Sequence, residues 1–510
     1  MSRVPLLLSL AVTAIGLSLS LMVVPYQVDD AFITYRYAAH VVAGHGFAYN
    51  VGGPETEGFS SPLWLGILVG GGAFLGAKTL PLVSIGVGLL SYLAAIGVMG
   101  RSGSGTGDHS LVPAGLLSIC VFALLPTTTS YAVTGLETLG FAVIVAAFAA
   151  SIAGDLGTRY GVAAGALALW VRPEGAWLVL AGVVQLAGMN KLHWLRARRV
   201  VLPLVSVLAG GALLVSLRLV IFGELVPNTY HAKEPDLLAG LNYAGTTLMA
   251  PPFLALCACG ILGAMAGGAR HLGYFLAGLT WIGAAILEGG DWMPGGRLLL
   301  PAFVMFALAT GGIATESRGS RWRKNLGWTL VIAAMSLQGA YSWRFAQSGV
   351  EAFETYRHEA RVMSDWIVKS GARSVGLIDI GEIGFRSDLE IVDLAGLTDQ
   401  VIGHSPGGLL QKEFDLEYLF VARQPDVILI RLSRISVPET NLGPQVRPND
   451  AMSHVERRIL GDPRLAQNYE LVLLQMPEEA RRPLNARALF VKRSTELERG
   501  DLPSGWVTIR

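Results

Sequence analysis

The sequence predicts a polytopic α-helical membrane protein that ends in a small α/β domain outside the membrane, and three observations carry that reading. Only 15% of its 510 residues are charged and 52% are hydrophobic, with a mean hydropathy of +0.49; soluble chains carry about 25% charged residues. Apolar stretches close to the ~20 residues needed to cross a bilayer recur along the first two thirds of the chain. After about residue 345 charges become frequent and no such stretch follows.

The apolar segments run near 5–24, 79–99, 111–127, 135–153, 158–170, 174–189, 200–222, 246–267, 271–287, 298–315 and 326–343, about eleven spans. The first follows Arg3, and because Val24-Pro25-Tyr26 is no small-residue cleavage site it reads as a retained span rather than a secretory signal. Basic residues gather in three connections: Lys191 with Arg196, Arg198 and Arg199; Arg270; and Arg318 with Arg321, Arg323 and Lys324. The positive-inside rule makes these cytoplasmic. Counting crossings outward from them puts residues 25–60, 128–137, 171–175, 223–245 and 288–297, and everything after about 344, together on the other side. A crossing at residues 62–77 would invert that parity, so Pro62-Leu63-Trp64 onward reads as an interfacial or re-entrant helix.

Two domains follow: a membrane domain over 1–344, with a first outer loop at 25–61, and an extracytoplasmic α/β domain over 345–510. In the latter, β-rich runs at Val375–Ile380, Glu390–Leu394, Asp426–Leu432, Glu470–Gln475 and Ala488–Lys492 alternate with helical stretches such as Phe353–Lys369. The formal charge is +1, so no global field recruits nucleic acid. Cys120, Cys257 and Cys259 lie in apolar surroundings and suggest neither a disulfide framework nor a thiolate metal site.

Chemistry-bearing residues concentrate in the outer loops. The first opens Val28-Asp29-Asp30-Ala31-Phe32-Ile33-Thr34-Tyr35-Arg36-Tyr37. Adjacent carboxylates disfavour joint ionisation, which suits one of them to general-base work; a solvated membrane-edge pair or helix caps would give the same spacing. The loop continues through Gly44-His45-Gly46-Phe47-Ala48-Tyr49-Asn50 and Glu55-Thr56-Glu57-Gly58-Phe59, whose aromatics and hydroxyls fit either a sugar-binding wall or an interfacial belt. Further loops supply Gly135-Leu136-Glu137-Thr138, Arg172-Pro173-Glu174-Gly175, Pro227-Asn228-Thr229-Tyr230-His231-Ala232-Lys233 and Gly289-Gly290-Asp291-Trp292-Met293-Pro294-Gly295-Gly296-Arg297. Taken singly, ionisable groups at helix ends read as snorkelling anchors. Together, Arg172, His231, Lys233 and Arg297 make a candidate phosphate-binding set opposite the carboxylates. A divalent cation (Mg, Mn or Ca) held by Asp29, Asp30, Asp291 or His231 stays open, without any tight ligand spacing to support it.

The order of these motifs resembles the GT-C superfamily of polyprenyl-phosphate-sugar glycosyltransferases, and its arabinofuranosyltransferase-like branch in particular. Asp379-Ile380-Gly381-Glu382-Ile383-Gly384-Phe385 and Val392-Asp393-Leu394-Ala395-Gly396-Leu397-Thr398-Asp399 resemble that branch's outer domain. The resemblance implies a bacterial inner-membrane enzyme with its active site facing outward. Its donor is a sugar on a long isoprenoid phosphate and its acceptor an envelope glycan, lipid or protein. The implied catalytic base is an acid of the first outer loop, Asp29 or Asp30, with the first favoured. Tyr35, Arg36, Glu57, Glu137, Asn228, Tyr230, Asp291 and Trp292 lie in the same outer loops and are expected to line the sugar and acceptor sites. Gly295-Gly296 stands where a bulky residue is expected, and is read as enlarging the pocket. A transporter or flippase of a lipid-linked envelope sugar is the rival reading. It predicts charges through the depth of the membrane, whereas here they sit mostly at span ends. In the tail, Asp379, Glu382, Asp393 and Asp399 either shape the acceptor site or punctuate turns.

Overall fold

A computed structural model describes residues 4–24, 27–102, 112–315, 321–433, 446–475, 486–495 and 506–508. Arg3, Pro25, Tyr26 and Arg318 lie outside the described residues. The chain divides into two compact units, Met1–Val28, Ser60–Ile221 and Pro235–Glu354 in the first, and Asp29–Phe59, Phe222–Glu234 and Thr355–Arg510 in the second.

The first unit is helical, as its apolar composition dictates: a backbone surrounded by apolar side chains satisfies its own polar groups most simply as helix. Every apolar segment read from the sequence lies on helix, including Val4–Met22, Leu80–Arg101, Thr138–Ala153, Thr158–Val171, Arg198–Ile221, Ala269–Leu287 and Arg321–Arg344. On length and composition, Ala77–Arg101, Arg198–Ile221 and Arg297–Ala314 are sufficient to cross a membrane. The stretch expected as one span over 246–267 is instead two helices, Leu237–Met249 and Pro251–Ala266, bent by 82°. Ala250 adopts extended backbone before Pro251, the conformation a following proline enforces. Similarly, 111–127 divides at Pro126, which opens a separate short helix, Pro126–Tyr131. Residues 62–77 form Pro62–Leu75, which starts on its proline, and a single 3-10 turn at Ala77–Thr79.

Among the described residues the second unit is built on a mixed six-stranded sheet, β1 (Ser374–Leu377), β2 (Glu390–Asp393), β3 (Val427–Leu432), β4 (Tyr469–Gln475), β5 (Ala486–Lys492) and β6 (Trp506–Thr508), in the order β2-β1-β3-β5-β4-β6. β1 lies parallel to β2 and β3, and the remaining neighbours are antiparallel. β3 is buried along nearly its whole length, the signature of a strand covered on both faces. Its Ile428, Ile430 and Leu432 pack with Val392, Leu394, Phe414, Leu419, Val455 and Ile459. The helix Asp29–Val42 also belongs to this unit, burying Ala31, Phe32, Tyr35 and Ala38.

Candidate active site

Asp29 and Asp30 open the helix Asp29–Val42, both partly buried. Asp29 accepts two backbone hydrogen bonds, Gly381 N–H to Oδ2 and Glu382 N–H to Oδ1, each 2.8 Å. These N–H groups open the short helix Gly381–Arg386, so the carboxylate sits on donors that have no partner within their own helix. Glycine is required at 381, because a Cβ there would run into the Asp29 backbone carbonyl. Burial, then the negative charges of Asp379 and Asp30, push the Asp29 carboxyl up to about 7, against the two N–H bonds that favour its ionised form. Arg431 holds Asp379 at 2.9 Å. A carboxylate offers about four acceptor positions, so two bonds fix the orientation of Asp29 and leave it capacity to take a proton.

Several other residues singled out in the sequence build the second unit itself. Arg36 spends its guanidinium on the carbonyls of Tyr49 (2.7 Å), Gly384 (2.5 Å) and Leu389 (2.8 Å) and on Asn50 Oδ1 (3.3 Å). It therefore clamps the first loop to the loops after β1 and before β2 instead of meeting a sugar. Tyr35 is fully buried in an edge-to-face cluster with Phe32 and Phe385. Asn228 donates to the carbonyls of Gly396 and Leu397, both at 2.9 Å, and its backbone N–H donates to buried Glu57. Tyr230 is 63% exposed and Lys233 also lies at the surface. His231 lies against His404 with ring centroids 4.1 Å apart and the rings tilted by 41°; burial and that neighbour lower its pKa below the ordinary imidazole value, which disfavours its charged form.

The first unit gathers a different set. Arg172 donates from Nη1 to Glu137 Oε1 (2.8 Å), from Nη2 to Glu174 Oε1 (2.5 Å) and from Nε to Glu174 Oε2 (3.1 Å). Although burial opposes it, the pair with Arg172 holds the Glu174 carboxyl below its usual range. Arg297 pairs with Asp291 at 2.7 Å. Both arginines line a small cavity with Glu174, Glu288, Trp281 and Phe141. Glu288, not singled out in the sequence, is raised to about 8 by burial and by Glu174, although Trp177 donates to it at 3.0 Å. It is thus largely a neutral acid at pH 7, leaving two arginines against Glu137, Glu174 and Asp291. The cavity is no open cationic trap: an incoming phosphate has to compete with carboxylates already in place.

Gly295 and Gly296 have φ of +87° and +72°, in the left-handed region that favours glycine. The turn that carries Asp291 to Arg297 therefore explains the glycine pair. Thr127 and Tyr131 donate to the carbonyls of Gly295 and Pro294 and fasten the turn, while Trp292 is 60% exposed. Among the described residues no three His, Cys, Asp or Glu side chains gather as a metal-ligand group. The tail acids are tied into the fold. Asp393 accepts from the N–H groups of Ala395, Gly396 and Thr398, with burial raising it to about 6. Asp399 caps Gln400–Gly403, and Glu382 pairs with Arg357 and Arg361. The long-range pairings of Asp29, Arg36 and Glu288 left no mark in the sequence.

Residues 349–493 match a family described as a domain of unknown function, DUF8728. No curated protein matches the chain. Among solved structures, the chain is similar to ArnT from Cupriavidus metallidurans bound to undecaprenyl phosphate, with 13% identity and a TM-score of 0.55 over 87% of this chain and 98% of that one. It is also similar to the oligosaccharyltransferase AglB from Archaeoglobus fulgidus in complex with an inhibitory peptide and a dolichol-phosphate, with 11% identity and a TM-score of 0.51 over 98% and 75%. A lower similarity, with 14% identity and a TM-score of 0.48 over 97% of this chain and 40% of that one, is to the arabinofuranosyltransferase AftD from Mycobacteria. The fold expected from the motif order, that of the GT-C glycosyltransferases, is the fold this chain has.

Proposed function

Starting from a GT-C fold, we propose that the protein is a membrane glycosyltransferase that moves a sugar from a polyprenyl-phosphate donor to a hydroxyl of a cell-envelope glycan, lipid or protein. The observation that carries this reading is Asp29, a carboxylate oriented by two backbone N–H groups with its pKa raised to about 7, near the operating pH at which a general base works best. The undecaprenyl phosphate of the ArnT structure and the dolichol-phosphate of the AglB structure support a long isoprenoid phosphate as donor. The order of the loop motifs supports arabinofuranose as the sugar.

The reaction is one inverting displacement. Asp29 takes the proton of the acceptor hydroxyl as that oxygen bonds to the anomeric carbon, and the bond from that carbon to the phosphate oxygen breaks. Arg297 is assigned the negative charge that develops on the departing lipid phosphate, with Asp291 holding its guanidinium in readiness. Arg172, clamped between two glutamates, supports the wall beside it. About eleven helical segments cross a bacterial inner membrane in this reading, Pro62–Leu75 lies at the interface, and the second unit faces outward.

The test compares wild type with Asp29→Asn and Asp30→Asn for transfer from synthetic polyprenyl-phosphate donors, arabinofuranose first, into a cell-envelope extract. Transfer abolished in Asp29→Asn with donor binding retained is the expected result. Transfer indifferent to both changes refutes the mechanism, and donor binding by wild type without any transfer favours a transporter of the lipid-linked sugar.

A further inference from the structure

The end of the first unit that the positive-inside rule assigns to the cytoplasm takes no part in the proposed reaction. There Lys191 and the 3-10 helix Leu192–Arg196 join the helices Leu178–Gly188 and Arg198–Ile221. A 3-10 helix turns once in three residues, so Lys191 stands in line with Trp194, and Leu192 in line with Leu195. The first alignment brings the Lys191 ammonium to 3.7 Å from the centre of the Trp194 ring, and the guanidinium carbon of Arg199 lies 3.5 Å from the same centre. One indole thus holds two cations in place, by contacts that leave both charges unneutralised.

Arg270 adds a third positive charge to this end. It pairs with Asp155 at 2.8 Å, and that carboxylate, fully buried, also accepts the Tyr274 hydroxyl at 2.9 Å. Residues 188–199 and 267–272 contain no acid, and among the described residues none of Lys191, Arg196, Arg198 and Arg199 forms an ion pair. Burial, then the charges of Arg270 and Arg199, lower the pKa of Lys191, so these cations repel one another. An anion seated among them relieves that repulsion.

The surroundings say what kind of anion fits. Leu192 and Leu195 are exposed beside the cations. Along one face of the helix Arg198–Ile221, the exposed Arg198 is followed by Leu202, Val205 and Leu208, all exposed, at the three- and four-residue spacing that keeps side chains in line. A cationic end continued by an apolar stripe matches a molecule with an anionic head and hydrocarbon chains. An acidic peptide would meet the cations and leave the stripe bare.

We propose that this surface, centred on Trp194, is a binding site for an anionic phospholipid, with Lys191, Arg196, Arg198 and Arg199 meeting its phosphodiester head and Leu202, Val205 and Leu208 its acyl chains. The proposal needs a first unit that spans a bilayer and is independent of glycosyl transfer. Full-length protein in a neutral detergent would be titrated with dioctanoyl phosphatidylglycerol, dioctanoyl phosphatidylcholine, glycerol phosphate and a glutamate decapeptide, the adducts being counted by native mass spectrometry. Saturable binding of phosphatidylglycerol, at least about tenfold tighter than that of the other three and weakened by salt, is expected.

A basic residue near an anionic lipid surface contributes roughly fivefold in affinity. The triple variant Lys191→Gln, Arg198→Gln, Arg199→Gln should therefore bind phosphatidylglycerol at least about tenfold more weakly, while Arg457→Gln, which removes an exposed charge of the second unit, should bind like wild type. Equal affinity for phosphatidylcholine, tighter binding of glycerol phosphate or of the peptide, wild-type affinity in the triple variant, or an equal loss in Arg457→Gln overturns the proposal. If the triple variant does not fold, the double variant Arg196→Gln, Arg198→Gln, at two exposed positions, decides by the same loss.

Discussion

Replacing Asp379 by asparagine tests the electrostatics of Asp29 without touching the base. The change is isosteric and leaves Arg431 paired with Glu456, so the fold should survive. Burial contributes most to the raised pKa of Asp29, and the charge of Asp379 comes next. An opposite charge at close range moves a carboxylate pKa by about 1–3 and a like charge acts in the reverse sense; the contact with Arg431 offsets part of the effect of Asp379, so its removal should lower the pKa of Asp29 by about 1. A general base works ionised. The acid limb of kcat/KM for sugar transfer should therefore fall near pH 7 in wild type and move to about pH 6 in Asp379→Asn. Asp29→Asn should lose about 10²–10⁴-fold of turnover across the whole range. Transfer of labelled sugar from a synthetic polyprenyl-phosphate donor, measured from about pH 5 to 9, supplies the profiles. A limb that stays put in Asp379→Asn, or one that survives in Asp29→Asn, refutes the assignment of the limb to Asp29.

Four more outcomes follow from the same contacts. Because the folded-state pKa of Asp29 is raised, the folded chain holds a proton that the unfolded chain has lost between about pH 4 and 7, so stability should decline as pH rises through that window, by at most about 4 kcal/mol; thermal unfolding of Asp29→Asn should show a shallower slope there. Glu288, raised to about 8, extends the decline to higher pH, and Glu288→Gln, which mimics the neutral acid, should flatten the alkaline part of the unfolding curve. Arg172→Met strands Glu137 and Glu174 without their counter-ion and should cost about 3–5 kcal/mol in denaturant unfolding. Arg297→Gln should raise the donor KM or lower kcat at least about tenfold, with no change in the pH limb.

The helical part of the fold was legible because apolar runs and charged connections are local features of the sequence. The breaks at Pro126 and Pro251 were equally local, yet the hydropathy of each run masked them: averaging the apolar content of 246–267 without regard to its prolines counts one span where the backbone makes two pieces. Among the described residues, five of the six strands fell on β-rich runs, since a covered strand is apolar along most of its length, as β3 is apart from Arg431. The site was legible only in part. Sequence picked Asp29 by its neighbour Asp30, but the features that raise its pKa, burial and Asp379, are supplied by residues far along the chain. Arg36 and Asn228 sit in conspicuous motifs, and a motif shows that a polar group is needed without showing whether a ligand or a distant carbonyl needs it. Here carbonyls of Gly384, Leu389, Gly396 and Leu397 take both. Glu288 passed unnoticed because its chemistry arises from Glu174 and Trp177 nearby in space.

The donors that orient Asp29 lie 352 and 353 residues downstream of it, and that distance along the chain is also a distance in time. At about 5–20 residues per second of synthesis, the ribosome needs roughly 20–70 s to make the segment that completes the base. Throughout that interval the first loop exists without its helix-end donors, without Asp379, and with Arg36 lacking the carbonyls that bind it. A nascent or truncated chain therefore carries an ordinary surface aspartate where the finished protein carries one tuned to neutral pH, and the chain cannot acquire its base before synthesis has passed residue 382.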